Sequence, residues 1–128
     1  MIVHSRDPLN AETPRAELAA SPLTPAERFY VRNHGITPSI DAHDWRVGID
    51  GMVGNPRELS LDELRALPRH EVCATLQCAG NRRAGLAEVA DIPGQEPWGP
   101  GAIGTARWAG AALADVLPLV ERDAALPR

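Results

Sequence analysis

The sequence predicts an α+β fold of short elements, on three observations. Twelve prolines and eleven glycines among 128 residues cut the chain into pieces too short for a helical bundle, proline alone running at roughly twice its usual share of about 5%. Two stretches have the period of a half-buried strand: Trp45, Val47 and Ile49 alternate with polar or small residues, and so does the run His70–Gln77. Two others carry the Ser/Thr-x-x-Glu signature of a helix start: Thr24-Pro25-Ala26-Glu27 and Ser60-Leu61-Asp62-Glu63. Strands mixed with short helices make one domain, or part of one.

Taken in order, residues 1–23 read as an extended arm, which Asp7-Pro8, Thr13-Pro14 and Ser21-Pro22 hold away from helix. Thr24 caps a short helix, with Pro25 at the first helical position and Glu27 closing a capping box. Tyr30-Val31 reads as strand, and Gly35 with Pro38 ends the unit. Arg32, Asn33 and His34 therefore fall at an element end, where function gathers. An arginine and a histidine this close suit the grip of an oxyanion through charge-assisted hydrogen bonds; on the residues alone a polar surface pair is the favoured reading. After the Trp45 strand, Gly51 and Gly54-Asn55-Pro56 mark turns. Ser60 opens a helix through Leu64 to about Leu67, stopped by Pro68. Leu61, Leu64 and Leu67 have core spacing, and Asp62 and Glu63 suit the positive end of the helix rather than catalysis.

In the strand His70–Gln77, Val72, Ala74 and Leu76 share one face and Cys73, Thr75 and Gln77 the other. Cys73 is expected as a small packing residue. After Arg83 the chain is expected to be irregular through Pro93, Gly94, Pro97, Gly99, Pro100 and Gly101, with Trp98 as a local core plug or a wall against water. Trp108 is placed in the core. Ala111 to Leu117 reads as a short helix interrupted by Pro118, and 119–128 carries no end signal.

Composition excludes several partners. Apolar residues at 44% and charged residues at 23% are ordinary for a globular domain. A net charge of -4 offers no basic surface for nucleic acid. No run approaches the roughly 18 apolar residues of a membrane span. Met1-Ile2-Val3-His4-Ser5-Arg6-Asp7 lacks the n- and h-regions of a signal peptide, so a cytoplasmic location is expected, or a periplasmic one if the true start lies upstream. Cys73 and Cys78 make neither a disulfide framework nor a CxxC pair, and the four histidines lack zinc-ligand spacing.

The chemistry gathers at Thr75-Leu76-Gln77-Cys78-Ala79-Gly80-Asn81-Arg82-Arg83. A cysteine ends a strand, a small-residue turn follows, and two arginines close it. Positive charge beside a thiol favours the thiolate, the form that attacks electrophiles or binds soft metals. Ala79-Gly80 leaves room for a ligand to approach the backbone. The same residues equally describe a buried cysteine before a turn, with arginines facing solvent. As a nucleophile Cys78 would need a histidine base; His34 is the attractive one, with no carboxylate or amide partner evident for it.

Thr75–Arg83 resembles the signature segment of the sulfite oxidase family of molybdenum enzymes. Phe29-Tyr30-Val31-Arg32-Asn33-His34 resembles that family's arginine-asparagine-histidine motif. Pro97-Trp98 with Gly101-Ala102-Ile103-Gly104, and Arg107-Trp108-Ala109-Gly110 leading to Leu113-Ala114-Asp115-Val116-Leu117, resemble later segments in the right order. Pro8-Leu9-Asn10-Ala11-Glu12 is similar to the lead-in of plant-type and bacterial members without a haem domain. The resemblance implies a mixed, largely β fold around a molybdenum-molybdopterin cofactor and oxidation of sulfite to sulfate by oxygen-atom transfer, with the electron acceptor unspecified. It implies Cys78 as metal ligand and Tyr30, Val31, Arg32, Asn33 and His34 against the cofactor. It implies Arg32, Arg83 and Trp98 in the anion pocket, with Arg82 supporting.

Residues 24–128 resemble the N-terminal portion of such a domain, without its C-terminal part or the dimerisation domain, so a homodimer is expected only of a full-length protein. Leu76-Gln77-Cys78 resembles the sulfite oxidase branch, whereas Arg32-Asn33-His34-Gly35 is shared with nitrate reductases, whose molybdenum domain is the rival reading. An inactive fragment is the other.

Overall fold

A computed structural model describes residues 1–93 and 96–120. Residues 94, 95 and 121–128, which include Gly94 of the irregular stretch and most of the unmarked terminus, lie outside that description. In chain order the strands are β1 (Ile2–Arg6), β2 (Leu9–Glu12), β3 (Arg46–Ile49), β4 (Arg57–Ser60), β5 (Arg69–Gln77) and β6 (Ile103–Ala111). The helices are α1 (Arg15–Ala20), α2 (Leu61–Arg65), α3 (Arg83–Ala87) and α4 (Leu113–Val116). The mixture of strands and short helices agrees with an α+β class. The chain divides into two units: Met1–Pro38 with Cys73–Arg107, and Ser39–Val72 with the segment from Trp108 onward.

The first unit corrects the reading of residues 1–23. They are not an extended arm. β1 and β2 form an antiparallel hairpin, Ile2 opposite Glu12 and Arg6 opposite Leu9, with Asp7-Pro8 at its turn. α1 follows directly after Pro14. The prolines punctuate these elements instead of forbidding them, because a missing N–H breaks no ladder in a turn or just ahead of a helix. Asn10, Ala11, Glu12 and Thr13 are all buried. Ala11 and Thr13 find partners inside: Ala11 and Val31 exchange both backbone bonds at 3.0 and 2.8 Å, and Thr13 N–H donates to Gly101 O at 3.1 Å. The Thr13 hydroxyl donates to Arg28 O at 2.6 Å.

The helix expected at Thr24 is a single 3₁₀ turn, Ala26–Arg28, starting from Pro25 with no side-chain cap. Thr24 is committed elsewhere. Its N–H donates to Thr105 O at 2.8 Å and its hydroxyl accepts from Thr105 N–H at 3.3 Å, so pairing with β6 displaces capping. A second correction falls after Arg83, where α3 stands in place of irregular chain.

In the second unit β3 and β4 pair antiparallel, Arg46 opposite Ser60 and Ile49 opposite Arg57. Val47 and Ile49 are half-buried as their alternation requires. β4 is the strand that the sequence hides, four residues between a turn and a cap. The Ser60 box forms in full: Glu63 N–H donates to Ser60 Oγ at 3.2 Å and Ser60 N–H to Glu63 Oε2 at 2.8 Å. Among the described residues Leu59, Val116 and Val120 are the buried apolar ones here. Leu61, Leu64 and Leu67 are not sealed in that core; with Val116 they line a cavity of about 430 Å³. α4 and a 3₁₀ turn at Leu117–Leu119 occupy the expected C-terminal helix.

β5 and β6 pair with each other. On β5 only Ala74 is half-buried, and Cys73 is exposed rather than packed. Trp108, expected in the core, is 38% exposed. Alternation fixes which side chains share a face, not how deeply they are buried. No helix among the described residues is long and apolar enough to cross a membrane.

Candidate functional site

Cys78 begins the turn after β5, and the turn is laced to the segment Trp98–Ala102. Cys78 N–H donates to Ala102 O at 2.9 Å, Arg82 N–H to Gly99 O at 2.8 Å and Ala84 N–H to Trp98 O at 3.0 Å. Ala102 N–H returns a bond to Asn81 Oδ1 at 3.1 Å. Arg82 takes up φ 68°, a left-handed conformation that costs a non-glycine residue roughly 1–2 kcal/mol. The lacing holds it there, and the chain reverses so that Arg83 opens α3.

A cavity of about 320 Å³ results, lined by Arg32, His34, Cys78, Ala79, Gly80, Arg83, Glu96 and Trp98. The Cys78 sulfur is half-buried and accepts Gly80 N–H at 3.4 Å. Arg83 Nη1 donates to Glu96 O at 2.9 Å, which turns one edge of its guanidinium to the protein. Trp98 is 1% exposed, a closed wall, and His4 meets its ring edge-on with centroids 4.9 Å apart. Behind it His4 Nε2 lies 3.4 Å from Glu12 Oε2. Tyr30 stands near enough to the sulfur for its charge to count: the phenol pKa is raised, first by burial and second by Cys78.

Cys78, Arg32, His34, Arg83 and Trp98 thus converge, although 64 positions separate His34 from Trp98 in the chain. Three other residues of the motif do different work. Val31 is bonded through its backbone to Ala11. Asn33 turns its side chain to Leu9 O at 2.7 Å and its N–H to Asn10 Oδ1 at 2.7 Å. Tyr30 stacks on Phe29. Neither Asn10 nor Glu96 stands out in the sequence. Asn10 Nδ2 donates to Glu96 Oε1 at 3.2 Å, and the signal for it is a polar residue inside the Pro8–Glu12 lead-in.

Among the described residues no three His, Cys, Asp or Glu side chains converge as a metal-binding group. The donor set suits a cofactor that carries its own ligands: one soft sulfur facing a cavity, ringed by guanidinium donors.

The family model for the oxidoreductase molybdopterin-binding domain matches residues 34–125. This chain belongs to that family. Sulfite oxidase of Arabidopsis thaliana is 47% identical over 119 residues, covering 92% of this chain and 30% of the relative. Sulfite oxidase of Gallus gallus is 51% identical over 116 residues, 90% of this chain and 25% of the relative. Nitrate reductase [NADH] of Ulva prolifera is 40% identical over 116 residues, 90% and 13% respectively. Among solved structures, the sulfane dehydrogenase SoxCD of Paracoccus pantotrophus superposes with a TM-score of 0.65 at 25% identity, over 80% of this chain and 26% of that one. The chain therefore spans less than a third of the length of these relatives.

Proposed function

We propose that this chain forms part of the catalytic site of a molybdenum-molybdopterin oxidoreductase that oxidises sulfite to sulfate. The observation that carries the reading is the Cys78 sulfur in one cavity with Arg32, Arg83 and the Trp98 wall. Cys78 would hold the metal as thiolate, and Arg32 and His34, which line the cavity, would border the pterin. The bound cofactor supplies the two-electron oxygen-atom transfer. The chain's own part is electrostatic and geometric. Arg32 and Arg83 draw a small dianion in and orient it by charge-assisted bonds, while buried Trp98 closes one side of the cavity to water.

Sulfite is favoured over nitrate because the sulfite oxidase relatives share 44–51% of positions and the nitrate reductase 40%. Nitrate reduction is the second reading, supported by that likeness. The test is molybdenum analysis of the chain purified from a host that makes the cofactor, beside Cys78→Ser, with sulfite-dependent reduction of an artificial acceptor. Metal bound by the wild type and lost in Cys78→Ser, with pterin partly retained, is the expected outcome. A folded wild type without metal, or equal metal in both, overturns it.

A further inference from the structure

We propose that Asn10, which does not touch the cavity, is the positioning residue that sets the two guanidinium groups of the anion site relative to each other. The inference rests on the reading that Arg32 and Arg83 bind the substrate anion.

Asn10 is 2% exposed, and its amide joins three segments of chain. Oδ1 accepts the N–H of Asn33 at 2.7 Å. Nδ2 donates to Glu96 Oε1 at 3.2 Å and to Ser5 Oγ at 3.1 Å, with Pro8 O further off at 3.4 Å. An asparagine amide has two N–H donors and one carbonyl, so the two shorter contacts use its hydrogens. The amide can point only one way, because the Asn33 N–H demands an acceptor and the Glu96 carboxylate demands a donor.

Each bond leads to an arginine. The Asn33 N–H belongs to the peptide plane whose other half is Arg32, so holding it fixes the backbone from which that guanidinium springs. Leu9 O binds Asn33 Nδ2 at 2.7 Å and secures the same segment a second time. On the other side Glu96 O accepts from Arg83 Nη1 at 2.9 Å. One buried amide therefore couples the peptide of Arg32 to the residue that clamps Arg83. A bidentate grip on a tetrahedral or pyramidal anion depends on that spacing, since displacements near 1 Å already cost large factors in positioning.

The test is a sulfate titration of the 128-residue chain, followed through the arginine Nε–Hε resonances, with the thermal midpoint of each variant measured in parallel. Arg32→Ala and Asn10→Ala are each expected to weaken sulfate binding about tenfold, the scale of one lost hydrogen bond to a charged group. Asn10→Asp sets a carboxylate against Glu96 and weakens it further. Adding Glu96→Gln to Asn10→Asp reverses the polarity of the link, so that the glutamine amide donates to the aspartate, and brings affinity back to within about threefold of wild type at the same net charge. Ser5→Ala loosens the hairpin but leaves both arginine links, so it lowers the midpoint without moving the sulfate Kd.

Tenfold loss in Arg32→Ala with none in folded Asn10→Ala overturns the positioning alone. Unchanged affinity in Arg32→Ala overturns the anion reading and the positioning with it. Equal losses in Ser5→Ala and Asn10→Ala reduce Asn10 to a structural residue and overturn the proposal. Where Asn10→Ala does not fold, the Asn10→Asp pair decides, and no recovery on adding Glu96→Gln refutes it.

Discussion

Gly80→Ala asks whether the cavity wall can yield. Gly80 is buried, and a Cβ there would lie 2.9 Å from Trp98 Cδ1, 3.0 Å from Arg83 Nη2 and 3.2 Å from Arg83 Cζ. Carbon contacts are comfortable from about 3.5 Å, so something must retreat by roughly half an ångström. Trp98 has nowhere to go, being 1% exposed with His4 against its ring. The Arg83 guanidinium, at the end of a long side chain, moves and strains its bond to Glu96 O, while the contact with Trp98 remains as overpacking. Overpacking of this kind costs about 1–3 kcal/mol. Replacing glycine restricts the unfolded chain and returns about 0.4–1 kcal/mol. The net is a loss of about 1–2 kcal/mol, a fall of about 3–8 °C in Tm for a domain of this size.

Two measurements check it, thermal unfolding and the sulfate Kd. The displaced guanidinium should weaken sulfate several-fold alongside the stability loss. Gly85→Ala is the built-in contrast: it sits inside α3 with nothing within 4 Å of its Cβ position, so helix propensity alone acts and raises stability by about 1 kcal/mol. A Gly80→Ala chain as stable as wild type, with unchanged sulfate affinity, would refute the claim that Trp98 and Arg83 form a tight wall.

Tyr30 is the single tyrosine, so phenolate absorbance titrates it directly. Its midpoint should lie above 10.0, and Cys78→Ser should bring it only part of the way back, because burial outweighs the charge of Cys78. An unchanged midpoint in Cys78→Ser would show that the sulfur is not near. Since the fold retains the phenol proton beyond its ordinary range, stability should decline as pH rises past 10.0. Ser60→Ala removes a helix cap worth about 1 kcal/mol. It should also flatten the acid limb of the stability curve. Glu63 is held below its usual 4.5 chiefly by the Ser60 N–H, then by the Ser60 hydroxyl, so its contribution is present above that value and lost as pH falls beneath it. Urea midpoints stepped through the acid range, parallel in both chains, would count against this.

What the sequence made legible was chemistry decided locally, or by a pattern long enough to be specific. The two capping signatures show the boundary. At Ser60 the box forms because donor and acceptor both lie within one turn. At Thr24 the same letters fail because Thr105, some eighty residues on, claims the hydroxyl and the backbone. Cys73 and Trp108 teach a related lesson. Alternation along β5 and the apolar character of an indole say which sides match, not whether anything lies against them. The convergence of Cys78, Arg32, Arg83 and Trp98 was readable through the family likeness. The arm that holds them was not, since prolines seen singly suggest interruption, and here they stand at a turn and a helix start.

That arm changes how the cavity is understood. Two guanidinium groups held near one sulfur repel each other, and flexible side chains would swing apart into water. The structure fixes the backbone beneath them by hydrogen bonds: Asn10 to Asn33 and the Glu96 carboxylate, Thr13 to Arg28 and Gly101, Ala11 to Val31. Asn10, Ala11 and Thr13 are themselves buried, where an unmet partner is expensive and a met one is rigid. The hairpin at residues 2–12 therefore fixes the backbone next to Arg32 and the residue whose carbonyl binds Arg83. On the proposed reading, an anion would meet a site whose backbone is already fixed, a condition that favours electrostatic stabilisation.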